Sequence, residues 1–255
     1  MPASQERDIF NRTARLAGPD AMEAFANATV ILFGVGGVGS WCAEGLVRSG
    51  VSRLTLVDPD RVCITNVNRQ LMALPETVGQ AKVEALKAHL LSVNPNARIT
   101  TCQAEFTEET AGDFGLERYD FIIDAIDSLK DKASLILHAS AAPGRFYSSM
   151  GAALKLDPTR IRVAEFWDVR GCPLGAALRK RLRKANTFPA KPFLCVYGDE
   201  LLPNLGSDEE PEGVMPTSFR KAQINGSAAH ITAIFGFTLA GLVLQDLYKK
   251  ALKQP

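Results

Sequence analysis

A short β-branched, apolar run, Thr29 to Phe33, breaks off at Gly34-Val35-Gly36-Gly37-Val38-Gly39 and gives way to Ser40–Ser49, whose pattern suits a helix. No other feature of the chain restricts its fold so strongly. A buried strand that stops on a glycine turn and feeds a helix is the opening of a βαβ unit. The glycines permit the tight turn and a close backbone approach to a phosphate, and the helix start offers free N–H groups and a positive dipole end. Gly34, Gly36 and Gly39 hold the GxGxxG spacing, with Gly37 between them. Glycine-rich turns also serve purely structural ends, so the strand before and the helix after are what tie this one to a nucleotide.

The pattern then repeats. Leu54 to Val57 is a second apolar run, ending at Asp58-Pro59-Asp60. Gly79 to Ser92 carries Val83, Leu86 and Leu90 at helical spacing and stops at Asn94-Pro95. Arg98–Cys102, Asp120–Ile126 and Arg145–Ser149 read as further strands, with a helix through Ala142 between the last two. Strands apolar on both faces and alternating with helices predict an α/β fold: a doubly wound, Rossmann-like, mostly parallel sheet with helices on both faces. After Gly151 the alternation loosens into a smaller α+β extension. It has strands at Ile161–Phe166 and Leu194–Tyr197, a basic helix at Leu174–Lys184, an acid-rich loop from Leu202 to Pro216 and an apolar C-terminal helix. With no repeat and no long linker, residues 1–255 are expected to form one domain, 10–150 as nucleotide-binding core and 151–255 as extension.

Composition removes other classes. A chain of 255 residues, 46% hydrophobic and 22% charged, is that of an ordinary globular domain, not a disordered one. With 29 Lys+Arg against 28 Asp+Glu it is no general polyanion binder, though a local basic patch is compatible with that balance. The five cysteines form no CxxC pair, which speaks against a disulfide framework and a cysteine-rich zinc site. The start, MPASQERDIF, has no apolar stretch, so a cytoplasmic location is expected. The stretch His230–Leu244 is almost wholly apolar, but falls short of the roughly 20 residues needed to cross a bilayer. It is expected to be a buried helix, and a membrane contact is not expected.

Asp58, at the end of the second strand and roughly 20 residues beyond the turn, suits a ribose hydroxyl. So far a nicotinamide-dependent dehydrogenase fits equally well. The chain continues through Asn66-Val67-Asn68-Arg69-Gln70, Gly79-Gln80-Ala81-Lys82 and, after the fourth strand, Asp127 in DAIDS. Hydride transfer has no use for an asparagine, an arginine, a lysine and an aspartate beside a phosphate turn. Cleavage of a nucleoside triphosphate does: cations neutralise phosphate charge, and a carboxylate holds Mg²⁺ against phosphate oxygens. Lys82 in the first turn of a helix is repelled by the dipole, which a bound phosphate would relieve.

Asn11-Arg12, GVGGVG, LVDPD, NVNRQ, GQAK and DAIDS occur in that order from Phe10 to about Ser149, and in this the chain resembles the ThiF/MoeB-type adenylating enzymes of the ubiquitin-activating-enzyme-like fold. The resemblance implies ATP and Mg²⁺ as cofactors. It makes Asp58 the ribose ligand and Asn66, Arg69 and Lys82 phosphate contacts, with Asp60 and Gln70 beside them, and it makes Asp127 the carboxylate on Mg²⁺. It also implies a homodimer in which Arg12 reaches the partner's site. The implied catalytic set is Arg12, Arg69, Lys82 and Asp127, and the implied step is attack of a substrate carboxylate on the α-phosphate. Thr13-Ala14-Arg15-Leu16-Ala17-Gly18, the Gly151-Ala152-Ala153 segment, Asp157-Pro158-Thr159 and Phe235-Gly236-Phe237 are similar to the branch that dehydrates threonylcarbamoyladenosine in tRNA. For this branch the substrate is tRNA carrying that nucleoside. A sulfur-transfer protein partner and a structural monovalent cation are open in the sequence. Two rival readings are an adenylyltransferase for a sulfur-carrier protein, which would usually carry the two CxxC pairs missing here, and a non-catalytic nucleotide-binding scaffold, which has no need of the full phosphate clamp.

Arg179, Lys180, Arg181, Arg183 and Lys184 place five cations in the basic helix, where they are expected to meet tRNA phosphates; a merely solvated helix face is the plain alternative. Cys195 is expected to be a buried thiol, and Cys63 lies close to the nucleotide motifs. His89, His138 and His230 are expected to be structural, and Trp41 to pack its helix on the sheet. The acid-rich loop around Asp208–Glu212 is expected to be solvated, with a lid over the substrate as the alternative.

Overall fold

A computed structural model describes residues 9–206 and 225–253. Asp208–Glu212, and with them the solvated-loop and lid readings, lie outside the described residues. The elements are α1 (Asn11–Ala17), α2 (Pro19–Asn27), β1 (Thr29–Phe33), α3 (Gly39–Arg48), β2 (Arg53–Val57), α4 (Lys82–Val93), β3 (Arg98–Cys102), β4 (Phe121–Asp124), α5 (Leu129–Ala141), β5 (Arg145–Ser149), β6 (Ile161–Glu165), α6 (Pro173–Ala185), β7 (Leu194–Gly198) and α7 (Ala229–Ala251). One seven-stranded sheet runs in the order β3-β2-β1-β4-β5-β7-β6. All its pairs are parallel except β6 with β7. The extension after Gly151 therefore continues the sheet of the core.

Side chains alternate across a strand, and in a parallel sheet both faces are covered, so each strand must feed two cores. Val30 and Leu32 of β1 join Leu54, Leu56 and Ile123 in a cluster with residues of α2, α3, α4 and α7. Ile31 and Phe33 join Ile122, Phe146 and Cys195 in a second cluster with residues of α5 and α6. The central strands are apolar on both faces for this reason.

Four boundaries or contacts differ from the sequence reading. The helix expected from Gly79 starts at Lys82. Gly79 has φ +88°, its N–H bonds to the Val62 carbonyl, and Arg61 bridges Ala81, so residues 79–81 are held as a turn and an isolated bridge. The strand expected to reach Ile126 ends at Asp124, whose Oδ1 accepts the Ile126 N–H at 3.1 Å and turns the chain. Trp41 does not pack on the sheet. Its ring lies 6.0 Å from that of Phe237 in α7, and its Nε1 donates to the Arg69 carbonyl at 3.1 Å. The length argument about the apolar C-terminal stretch also fails: α7 has 23 residues and is long and apolar enough to cross a membrane. Its Ile231, Phe235, Leu239, Val243 and Leu247, spaced by four, are buried in the first core, and Gly236 crosses α3 so closely that a Cβ there would lie 2.4 Å from the Val38 carbonyl oxygen.

Candidate active site

The carboxyl edge of the sheet sets the positions. Phe33 is level with Val57 on one side and Asp124 on the other, and Asp124 with Ser148. The connections leaving β1, β2 and β4 therefore meet in one crevice, where strand order reverses and open α/β sheets bind ligands.

The glycines of the turn have different reasons. Gly34 has φ +83°, and a Cβ there would lie 2.7 Å from the Ala125 oxygen; at Gly39 it would lie 1.8 Å from the Gly34 oxygen. Both are demanded by the fold. A Cβ at Gly37 would lie 3.2 Å from Thr232 Cγ2 of α7, a close fit. A Cβ at Gly36 would meet nothing nearer than the Gln70 amide nitrogen at 3.6 Å, an ordinary contact, so packing does not require a glycine there. Val38, the N-cap of α3, gives no side-chain cap, and the first turn holds no acid. The start of α3 thus presents backbone donors and a positive dipole end to an anion.

Asp58 is buried. Its Oδ2 accepts the Val35 N–H of the turn at 2.8 Å, and its Oδ1 accepts the Asp60 N–H at 3.0 Å. Burial raises its pKa above the ordinary aspartate value, against the pull of Lys82. The Lys82 ammonium sits 2.8 Å from Asp60 Oδ2 and 3.9 Å from Asp58 Oδ1. Two carboxylates thus already relieve Lys82 at its helix start, and phosphate is not the sole reason for its place.

A helical turn over Ile64–Asn66 brings the next group. Asn66 Oδ1 accepts the Cys63 N–H at 3.0 Å, and Arg69 Nη1 donates to the Thr65 carbonyl at 2.8 Å and to Asn68 Oδ1 at 2.9 Å. Partial burial lowers the Arg69 pKa, and the charge of Asp127, exposed at the edge beyond β4, opposes that shift. The Arg69 carbonyl accepts from Trp41 and, at 3.4 Å, from the Thr232 hydroxyl, so α3 and α7 together hold this loop. Gln70 is buried: its Nε2 lies beside Gly36, and its Oε1 has no hydrogen-bond partner among the described residues.

The glycine turn, Asp58, Asp60, Asn66, Arg69, Gln70, Lys82 and Asp127 all belong to the connections at this edge. Arg12 is exposed on α1, a helix with no buried residue. In α6, Arg179 turns inward: Nη1 donates to the Phe166 carbonyl at 3.1 Å, and the guanidinium lies over the Phe166 ring. Arg183 stacks 5.0 Å over Trp167, while Lys180, Arg181 and Lys184 are exposed. Each histidine has a partner: His89 with Glu44, His138 with Glu108 and His230 with the Leu156 carbonyl. Cys195 is fully buried, and burial pushes its thiol pKa well up; Cys63 Sγ contacts the Thr65 hydroxyl. Among the described residues no three His, Cys, Asp or Glu side chains converge as a metal site.

Sequence reasoning missed an ion pair beneath this edge. Asp124 and Lys132 are wholly buried, 2.7 Å apart. Burial pushes the Asp124 pKa up, and Lys132 opposes the shift. The first aspartate of DAIDS was its one signal, and the partner eight positions on could not be paired with it before the loop between them was known.

A strand–turn–helix phosphate site with acidic and basic groups around it, on a doubly wound sheet, defines a nucleotide-binding α/β protein, and the chain belongs to the ThiF family, whose model matches residues 10–162. It is 35% identical to the tRNA threonylcarbamoyladenosine dehydratase of Escherichia coli strain K12, over 97% of this chain and 96% of that one. With the enzyme of the same name from Bacillus subtilis strain 168 it shares 38% identity, over 94% of each. The crystal structure of the E. coli enzyme in complex with ATP superposes with a TM-score of 0.85 at 34% identity, covering 98% of this chain and 97% of that one.

Proposed function

We propose that this protein dehydrates N6-threonylcarbamoyladenosine at position 37 of tRNA to its cyclic form at the expense of ATP. The observation that carries the proposal is the near full-length likeness to dehydratases of that name, combined with a crevice that has the parts a triphosphate needs. Gly36 leaves open backbone where packing asks for none, with the Gln70 amide nitrogen, a hydrogen-bond donor, beside it. The α3 start, Arg69 and Lys82 supply positive charge around them.

In this reading Asp58 takes a ribose hydroxyl, and Asn66, Arg69 and Lys82 hold the phosphates, with Asp60 fixing the Lys82 ammonium and Gln70 lining the turn. Asp127 is the side chain that would hold Mg²⁺, which when bound would neutralise phosphate charge. The threonyl carboxylate attacks the α-phosphorus and pyrophosphate leaves. The ureido group then closes on the acyl carbon, gives up a proton and expels AMP, so that ATP takes up the elements of the water lost by the nucleoside. Placement and charge neutralisation carry both steps, and no protein nucleophile enters. The protein acts in the cytoplasm as a homodimer, Arg12 reaching from the exposed α1 into the partner's site. Lys180, Arg181, Arg183 and Lys184 meet the tRNA backbone, and Arg179 braces their helix. Neither a sulfur-transfer partner nor a monovalent cation enters these steps.

The test incubates tRNA carrying threonylcarbamoyladenosine with the protein, ATP and Mg²⁺, then reads digested nucleosides by mass spectrometry. ATP-dependent loss of one water from that nucleoside is the expected result. ATP binding without any change in the nucleoside would point to a protein carboxylate as substrate, and no ATP binding would sink the reading.

A further inference from the structure

Asp127 stands on the four-residue connection, 125–128, between β4 and α5, and the two residues before it are tied down differently. Ala125 donates its N–H to the Phe33 carbonyl at 2.8 Å, and its own oxygen sits against the bare face of Gly34. Ile126 is gripped at both ends of its backbone. Its N–H goes to Asp124 Oδ1 at 3.1 Å, and its carbonyl accepts from the Lys132 ammonium at 2.9 Å. The Ser148 hydroxyl, from the neighbouring strand, donates to Asp124 Oδ2 at 2.7 Å. Lys132 sits one turn into α5, its backbone N–H on the Ser128 carbonyl at 2.9 Å.

A wholly buried ion pair rarely stabilises a fold more than apolar side chains of the same volume would. This one spends its hydrogen bonds on the residue next to Asp127 and on a hydroxyl of the sheet. We infer that Asp124 and Lys132, steadied by Ser148, are positioning residues that fix the Ala125–Asp127 loop so that Asp127 faces Arg69 and the nucleotide phosphates. The inference rests on the proposed role of Asp127.

The test is a mutant cycle read by AMP release from ATP in the presence of the modified tRNA. It compares the wild type, Asp127→Ala, the paired change Asp124→Asn/Lys132→Met, and all three together, each checked for folding by circular dichroism and thermal melting. The paired change removes both charges at once and so leaves no buried ion unpaired. Alone it should lower kcat about 10- to 100-fold. On top of Asp127→Ala it should change the rate by no more than about twofold, because residues that act through one another are not additive. Losses that multiply, or an unchanged kcat for the paired change, overturn the inference. An Asp127→Ala protein as fast as wild type overturns it too, and is recognisable as failure of the active-site reading itself. Should the paired change not fold, Ser148→Ala with hydrogen exchange read at the Ile126 amide decides. Faster exchange confined to residues 125–127 together with a lower kcat supports positioning, and no change in either overturns it.

Discussion

Gly36 and Gly39 look alike in the sequence and differ in the structure, which makes them a useful pair to change. A Cβ at Gly39 would sit 1.8 Å from a backbone oxygen that cannot move without taking the turn with it. Gly39→Ala should therefore be poorly folded, as a thermal melt will show. Gly36→Ala should keep a stability within about 0.5 kcal/mol of wild type while its ATP affinity falls, because the added methyl stands where a phosphate would approach. Equal melting losses in the two variants would remove Gly36 from the site. Asp58 yields a prediction of pH dependence. Its folded pKa is raised by burial, so the charged form is disfavoured on folding. Its contribution to stability is complete below the ordinary aspartate value and is lost as pH rises through the folded value. Asp58→Asn carries no such charge. Chemical denaturation from about pH 4 upward should show the stability difference moving in the variant's favour as pH rises; a difference that stays flat would contradict the burial effect. At this scale the GxGxxG spacing and the run of polar motifs were legible in the sequence. Which glycines packing demands was not, because that depends on what a Cβ would touch. The place of the Gln70 amide beside Gly36 is likewise a property of the assembled crevice.

Helices and strands were legible to the extent that local pattern governs them. The central strands were readable because two covered faces demand apolar side chains at every position. Their ends were not, because long-range bonds set them. Residues 79–81 are held to Arg61 and Val62 and so delay α4 until Lys82, which places that ammonium at the very start of the helix, against Asp60. Lys82→Ala should leave the chain folded and lower the rate of AMP formation about 10²- to 10³-fold; unchanged turnover would take Lys82 out of the chemistry. Helix α6 shows the same limit. Its run of cations was plain, but Gly175, Leu178 and Leu182 face the core and turn Arg179 with them. Reversing Lys180, Arg181 and Lys184 to Glu should weaken tRNA binding and flatten its salt dependence. Arg179→Glu should act through stability, since it strips the Phe166 carbonyl of its donor. Filter binding over a salt series and thermal melts separate the two effects, and an unaltered tRNA affinity in the triple variant would make the helix a solvated face.

For the molecule as a whole, the single sheet carries both the nucleotide crevice and the later segment expected to meet the substrate. An exposed α1 bearing Arg12 suits a site shared between two copies. Mixing Arg12→Ala with Asp127→Ala chains, once subunit exchange is established, should restore about a quarter of wild-type activity, since each mixed dimer keeps one intact site. Absence of recovery would place Arg12 elsewhere. The part of α7 in the site was the least legible feature. Apolar composition announced a buried helix, while the close fit of Gly236 on α3, and the hold of Trp41 and Thr232 on the Arg69 loop, exist only once two distant segments meet. That meeting also has an order in time. A ribosome releases the phosphate turn and α3 early and the helix that covers them nearly a whole chain later. Until then the apolar surface that α7 covers stays bare, and interruption before that point leaves a sticky fragment for chaperones to shield.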